Sequence, residues 1–462
     1  MVRRLTLVLI ALTACKEAGG LDSGPAIDAT AVVDGGLDAG VDGGRDAAAD
    51  AGLDSGSDAG ASDVEPSDVR TGPVTVRFEL YGYPTFGEAI FHAADGRVLH
   101  QIKTAADGIA VADVPEGGMV TMVTDRLPDG SAELVTVVGV TPGESYLWNK
   151  GGFFEPLTVQ ITAGGEFPGA ASYDYDFGCT AFTSTEAVAL LTIDQSHCAA
   201  SSPMTDVLVS ARDPAGVLLA HQHAVVPPLM DGSVVRLDGD WATEQRTIEI
   251  RSERPDPNQL WMTVSAWLKA SSPGGFAGLY SDPIDLWAPE VPLLWTVPAF
   301  GDSLFYFAQV DGLDGAVYQS ARSLDTIADF EVPLDFPAAV QTQLVARTGQ
   351  PARPDIEWNA PGGGADVITL RLFTAAPPRL GWRIFVSADR AALQLPELPE
   401  DLAAVRPSSA SRWSGHTTAT AYSVFESYEA VRAAIGRSVN DWDATQVPLA
   451  PGDVLSSSFK SL

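Results

Sequence analysis

Between residues 34 and 58 an aspartate returns at every fourth position: Asp34, Asp38, Asp42, Asp46, Asp50, Asp54 and Asp58, separated mostly by Gly and Ala. A period of four would line these carboxylates along one helix face. There they repel one another, and each interleaved Gly costs a helix up to about 1 kcal/mol. Residues 16–72 also hold almost no aromatic or large aliphatic side chains, so no burial offsets the entropy of ordering them. The composition predicts a disordered, self-repelling linker spanning roughly 40–45 Å before charge repulsion lengthens it. Asp34-Gly35 and Asp42-Gly43 are reminiscent of calcium loops, but a spacing of four supplies neither the alternating ligands nor the closing Glu of such a loop. Folding is left to the residues beyond the linker.

Ahead of the linker, Arg3 and Arg4 precede an apolar run from Leu5 to Leu12. The run is shorter than the roughly 20 residues of a membrane span. Leu12-Thr13-Ala14-Cys15 then has the order Leu–x–small–Cys, and the whole segment resembles a bacterial lipoprotein signal peptide. The resemblance implies cleavage after residue 14, lipid on the Cys15 thiol, and the membrane as a partner held through that lipid. Buried acyl methylenes contribute roughly 0.8 kcal/mol each, and two or more chains anchor a protein stably. An ordinary secretory signal is the alternative reading. Among such lipoproteins an Asp after the cysteine favours inner-membrane retention; here Lys16 stands there, which points to the outer membrane or cell surface.

The chain of 462 residues has 28 Lys and Arg against 60 Asp and Glu, a formal net charge of −32. Such a surface repels phosphate backbones, so nucleic acid is not an expected partner. The folded remainder, roughly 390 residues, is too long for one core, and two or three domains are expected. Besides Cys15 the chain has only Cys179 and Cys198. In an exported protein such a pair most simply forms a disulfide, worth roughly 3 kcal/mol for a loop of this size. The rival, a metal site using the neighbouring His197, is short of ligands.

From Val74 onward the pattern alternates. Val74, Val76, Phe78 and Leu80 fall on one face and Thr75, Arg77 and Glu79 on the other, as in a half-buried strand. Ala89–Ala93 and Arg97–Thr104 flank the hairpin signal Asp95-Gly96, Ile109–Val114 follows Asp107-Gly108, and Leu134–Val140 closes a small antiparallel sandwich. Thr104, Asp107, Gly108, Ala110, Val114 and Pro115 match the T-x-x-D-G-x-A-x-x-x-V-P turn, and residues 74–142 resemble carboxypeptidase-regulatory-like (transthyretin-like) domains. The resemblance implies a spacer or binding module and carries over no catalytic residue. Between 155 and 283, Val207–Ser210 and Val217–Val226 flank Asp213-Pro214-Ala215-Gly216, Arg246–Arg251 alternates, and Trp261–Leu268 is an aromatic-rich strand. After a Pro-rich joint at 283–292, strands are expected at Asp366–Phe373 and Trp382–Val386, with one short helix within Ser423–Ile435. The expected fold is all-β: two or three antiparallel β-sandwich domains after a disordered acidic linker. The segments are 1–14, 15–72, 73–154, 155–283 and 293–462, the last two alternatively fused into one body.

No Gly-x-Ser-x-Gly elbow, His-Glu-x-x-His helix, phosphate loop or dinucleotide fingerprint occurs, which lowers the odds of an enzyme without excluding one. No cofactor is expected. His221 and His223, two apart on a strand, point to one face and are weak metal candidates; two exposed histidines on an edge strand is the plainer reading. Asp174 and Asp176 likewise share a face in Tyr173-Asp174-Tyr175-Asp176, where carboxylates could bind calcium or cleave a glycoside. Tyr packed inward and Asp turned out to solvent is simpler. The ten Trp are scattered from Trp148 to Trp442 and serve either as packing or as a sugar platform. The expected function is an outer-membrane or cell-surface lipoprotein with a non-enzymatic adhesive, envelope-structural or ligand-presenting role, toward an envelope polysaccharide or a protein. The alternative is a surface protein that binds or cleaves carbohydrate with the Trp and Asp residues of 155–300.

Overall fold

The computed structural model describes residues 69–461 apart from internal stretches, the longest being 151–156, 194–204, 253–258, 270–281, 287–292, 346–352, 406–412 and 440–451. The leader, Cys15, the Asp repeat, and the Cys179 and Cys198 of the expected disulfide lie outside the described residues.

The alternating run that begins near Val74 forms β1 (Thr71–Leu80), followed by β2 (Tyr83–Pro84), β3 (Glu88–His92), β4 (Val98–Lys103), β5 (Ile109–Pro115), β6 (Gly118–Arg126), β7 (Ala132–Val140) and β8 (Ser145–Lys150). One sheet places β2, β5 and β8 around β1; the strands β4-β3-β6-β7 face it. Val74, Val76 and Phe78 are fully buried against Ala89, Phe91, Val120 and Met122, as the period-two pattern requires. β8 lies parallel to β1, pairing Thr75 with Ser145 through to Leu80 with Lys150.

A second sandwich comprises β9 (Leu157–Thr162), β10 (Ser172–Asp176), β11 (Ala181–Ser184), β12 (Val188–Ile193), β13 (Thr205–Arg212), β14 (Leu218–Val226) and β15 (Ser233–Arg236). Its sheets, β12-β9-β15 and β11-β10-β13-β14, enclose Val159, Ile161, Tyr175, Val207 and Val209. The β13–β14 hairpin turns at Gly216 with φ 82°, and the Asp213 carboxylate accepts from the amides of Ala215 and Val217 at 2.8 Å each. That turn chemistry is what Asp-Pro-Ala-Gly predicts.

The remainder supplies β16 (Gln245–Ser252), β17 (Gln259–Lys269), β18 (Asp282–Leu286), β19 (Leu293–Pro298), β20 (Ser303–Gly312), β21 (Val317–Leu324) and β22 (Phe330–Val332). Then come β23 (Thr342–Val345), β24 (Asp355–Trp358), β25 (Val367–Thr374), β26 (Leu380–Ser387), β27 (Ala392–Gln394), a 3-10 turn at Glu400–Val405, β28 (Trp413–Tyr422), helix α1 (Tyr428–Ile435) and β29 (Val454–Ser461). The helix is shorter than the 423–435 span in which it was expected. Ser427 caps it, its side chain accepting from the Ala430 amide, so the helix starts there.

A single twelve-stranded sheet, β18-β17-β20-β21-β29-β28-β25-β26-β7-β6-β3-β4, joins these regions. β26 runs parallel to β7 from Leu380 beside Ala132 to Phe385 beside Val137, and β17 pairs antiparallel with β20. The sheet draws strands from both sides of residue 154 and of residues 283–292, while β1, β2, β5 and β8, and the second sandwich, keep separate sheets. Residues 66–462 make one compact unit, and the fold is all-β with several sheets. The sequence pattern reports which face of a strand is buried and not which strand lies beside it, so these pairings leave no local mark. Where β7, β26, β25 and β28 adjoin, both faces are covered. Tyr428, Val431 and Ile435 of α1 belong to the core on one face, while Ile356, Trp358, Leu393 and Leu402 belong to the core on the other.

Candidate functional site

The carboxypeptidase-regulatory-like turn residues each have a mechanical role at one end of the first sandwich. Gly108 has φ 66°, and a Cβ there would stand 2.4 Å from the Phe78 carbonyl oxygen, so only Gly fits. The Asp107 carboxylate accepts from the Ile109 amide at 3.2 Å, while Ala110 and Val114 are buried. The Thr104 hydroxyl accepts from the Gly87 amide at 2.7 Å, and the Thr104 amide donates to the Gly87 carbonyl at 2.9 Å. Thr85 donates its amide to the Phe78 carbonyl at 2.9 Å. A Cβ on Gly87 would meet the Phe78 ring at 2.2 Å. These contacts pin residues 85–87 onto the strands beneath.

What that pinned loop displays is aromatic. Phe86 is 73% exposed and Tyr83, on β2, is 71% exposed. Phe86 overhangs a cleft of about 520 Å³ whose apolar wall is Leu80, Val123 and Trp148. Trp148 is itself buried and packs against Phe78 with ring centroids 5.7 Å apart. Glu88, Lys103 and Arg126 supply the polar wall.

The charges there are ordered by an ion network. Arg126 bonds Glu88 at 2.5 Å and Asp401 at 3.0 Å, Lys103 bonds Asp401 at 3.0 Å, and Gln101 donates to both carboxylates. Burial pushes the Asp401 carboxyl upward, but the bonds from Gln101, Lys103 and Arg126 outweigh it and hold it at about 2. Asp401 sits on the 3-10 turn at Glu400–Val405, so a distant part of the chain holds the cleft's Lys103 and Arg126 in place. An exposed aromatic on a fixed loop beside an apolar floor and paired charges suits binding of an amphipathic surface, a sugar ring or a peptide, rather than proton transfer.

The residues singled out from sequence lie elsewhere. β14 is an edge strand as expected, but His221 is buried, not exposed, because a bridge to Ala242 covers it. His223 Nε2 stands 2.9 Å from Asp206 Oδ1, and its ring packs on Phe300 at 4.2 Å. Among the described residues, no group of three or more His, Cys, Asp and Glu is placed to hold a metal. Burial, followed by the charge of His223, lowers the pKa of His221, the direction of a packing residue.

Tyr173 and Tyr175 are buried as expected, with Asp174 on the other face ion-paired to Arg212 and accepting from Thr183 at 2.7 Å. Asp176 is buried instead of solvated. Of the described Trp side chains, Trp148, Trp295, Trp358, Trp382 and Trp413 are buried. Trp241 is half-buried against Phe167 and Tyr173. No Trp platform forms among them.

Phe86 and Tyr83 were missed by sequence reasoning. Tyr83-Pro84-Thr85-Phe86-Gly87 puts two aromatics among turn formers between two strands, and aromatics in such a turn are the signal that could have found them.

No protein-family model and no curated protein matches the chain. Among solved structures it is similar to the Bacillus anthracis TIE protein, at 11% identity and TM-score 0.16, over 57% of this chain and 50% of that one. It is also similar to the FN1–FN3 domains of chicken CNTN1, at 9% identity and TM-score 0.14, over 54% of this chain and 84% of that one. A third is a candidate adhesin from Bacteroides ovatus, at 12% identity and TM-score 0.14, over 58% and 92%. The chain thus spans half the length of the first of these. TM-scores this low carry no functional argument.

Proposed function

We propose that the protein is a lipid-anchored surface protein that holds a β-sandwich body away from the membrane and binds a partner through the Phe86 cleft, in an adhesive or ligand-presenting role without catalysis. The observation that carries the reading is the contrast in how polar and aromatic groups are used. His223, Asp174, Arg212 and Arg432 are each paired within the fold. Phe86 and Tyr83 are held outward on a loop that Thr104 and Gly87 fix. The lipoprotein-like leader with Cys15 supplies the address, and the acidic repeat supplies reach. The resemblance of 74–142 to carboxypeptidase-regulatory-like domains agrees with a binding role for this end of the body.

The test is a binding screen of the full chain on immobilised envelope polysaccharides, peptidoglycan and extracellular-matrix proteins, with Phe86→Ala beside the parent. Retention of the parent on at least one surface, reduced roughly tenfold by the substitution, is the expected result; one lost aromatic contact of this kind is worth about 1–3 kcal/mol. Equal retention of Phe86→Ala would remove the cleft from the account.

A further inference from the structure

The strands that line the Phe86 cleft offer no open edge to a peptide. At Leu80, β1 is paired with Tyr83 of β2 on one side and with Lys150 of β8 on the other. β2 is only two residues long, and Pro84 has no amide to give. β3 lies between β4 and β6, and β6 between β3 and β7. β4 ends its sheet, but Glu397 meets its outer side 3.3 Å from the Val98 amide, and Asp401 bonds the Gln101 and Lys103 side chains. An extended peptide that docks by adding a strand therefore finds no ladder to join here.

The charges of the cleft are already matched. Glu88 and Asp401 pair with Lys103 and Arg126. A chain of net charge −32 repels polyanions, and a wall so balanced holds no surplus carboxylate to draw a cation. An uncharged ligand is what remains. The same pairing leaves hydrogen-bonding capacity unused. Both bonds of the Arg126 side chain leave from Nη2, so Nη1 and Nε remain as donors. Glu88 accepts from Gln101 at Oε1 and from Arg126 at Oε2, and each oxygen keeps a second lone pair. A hydroxyl serves both partners, donating to the carboxylate and accepting from the guanidinium.

We propose, resting on the assignment of the Phe86 cleft as the binding site, that its ligand is an uncharged oligosaccharide. The C–H face of one sugar ring lies on Phe86, and ring hydroxyls bond Glu88 and Arg126. A sugar unites what the cleft separates: an apolar face for Phe86, Leu80 and Val123, and a rim of hydroxyls for the paired charges. The volume of about 520 Å³ lies within the roughly 300–1,000 Å³ of small-ligand clefts, room for the end or a short stretch of a glycan chain.

The experiment is calorimetric titration of the full chain, at low and at high salt, with cellohexaose, maltohexaose, mannohexaose and chitohexaose. Oligogalacturonate and an uncharged peptide of alternating valine and threonine serve as the charged and the peptide probe. At least one neutral hexasaccharide should bind, with an affinity that changes less than about twofold with salt, and neither of the other probes should. Phe86→Ala should weaken that binding roughly tenfold. Arg126→Lys keeps the charge beside Glu88 and Asp401 but removes the fork, and should weaken it several-fold at a near-parental thermal midpoint. Peptide bound in place of sugar, and lost in Phe86→Ala, would leave the cleft as the site and overturn the sugar. A hexasaccharide held equally by the parent and Phe86→Ala would place it elsewhere and remove the cleft reading as well. Binding of no hexasaccharide, or tighter binding of oligogalacturonate than of any neutral chain, overturns the proposal.

Discussion

Removing Arg432 should destabilise the whole body, because this one guanidinium ties the C-terminal helix to the first sandwich. Its side chain is 3% exposed and bonds Glu144 at 3.0 and 3.1 Å through Nε and at 2.7 Å through Nη2. A further bond reaches the Thr141 hydroxyl at 3.0 Å. Glu144 in turn accepts from the Tyr146 hydroxyl at 2.6 Å and the Thr141 amide at 3.0 Å. Arg432→Met keeps most of the apolar stem and deletes every one of the guanidinium contacts. Breaking a buried pair costs about 3–5 kcal/mol, and the partial exposure of Glu144 places the loss near the lower figure, about 3 kcal/mol. With a urea slope of roughly 3 kcal/mol/M, the midpoint falls by about 1 M. Urea unfolding followed by amide exchange in β1–β8 and in α1 is the assay. Both regions should lose protection together, because β7 and β26 share one ladder. A loss below about 0.5 kcal/mol, or early melting of α1 with β1–β8 unaffected, would show that Arg432 does not tie the helix to the first sandwich.

Two other perturbations have defined outcomes. Burial lowers His92 to about 3 from 6.5, so the unfolded chain takes up its proton first as pH falls. Its contribution is complete above pH 6.5 and lost toward pH 3, at most about 1.4 kcal/mol per pH unit, and His92→Gln should flatten that part of a urea-midpoint profile against pH. An unchanged slope would show that His92 is not the sensor. Gly108→Ala adds a Cβ at φ 66° within 2.4 Å of the Phe78 carbonyl oxygen. It should cost roughly 2 kcal/mol or more by thermal unfolding and displace the Phe86 loop; a loss under about 0.5 kcal/mol would mean the turn relaxes freely.

Local structure was legible in the sequence wherever one residue's chemistry decides it. The Asp95-Gly96 and Asp213–Gly216 turns lie where they were expected, as do the alternations at Val74–Leu80 and Arg246–Arg251 and the strand expected at Asp366–Phe373. Neighbours were not legible. Nothing in Leu380–Phe385 announces that it runs parallel to Ala132–Val137, because a strand's period fixes its faces and leaves its partner open. Buried polar groups were hidden for a related reason. His92, Thr121, Thr136 and Trp382 form a hydrogen-bonded line at 2.9, 2.7 and 2.8 Å across β3, β6, β7 and β26. Each satisfies another within the core, and from sequence they are ordinary polar positions on a strand. The same limit concealed the cleft. Phe86 was visible as a residue, while its outward display depends on Thr104, Gly87 and Phe78 meeting in space.

In the proposed function, Cys15 carries lipid and the body it holds faces the outside of the cell. Membrane fractionation of cells producing the parent or Cys15→Ser, combined with protease added to intact cells, tests it directly. The parent should sediment with outer membranes, release a body fragment to external protease, and carry an acylated Cys15 at its new N-terminus by mass spectrometry. The Cys15→Ser chain should leave the membrane fraction. Membrane retention of Cys15→Ser, or a parent chain whose Cys15 carries no acyl group, would contradict it.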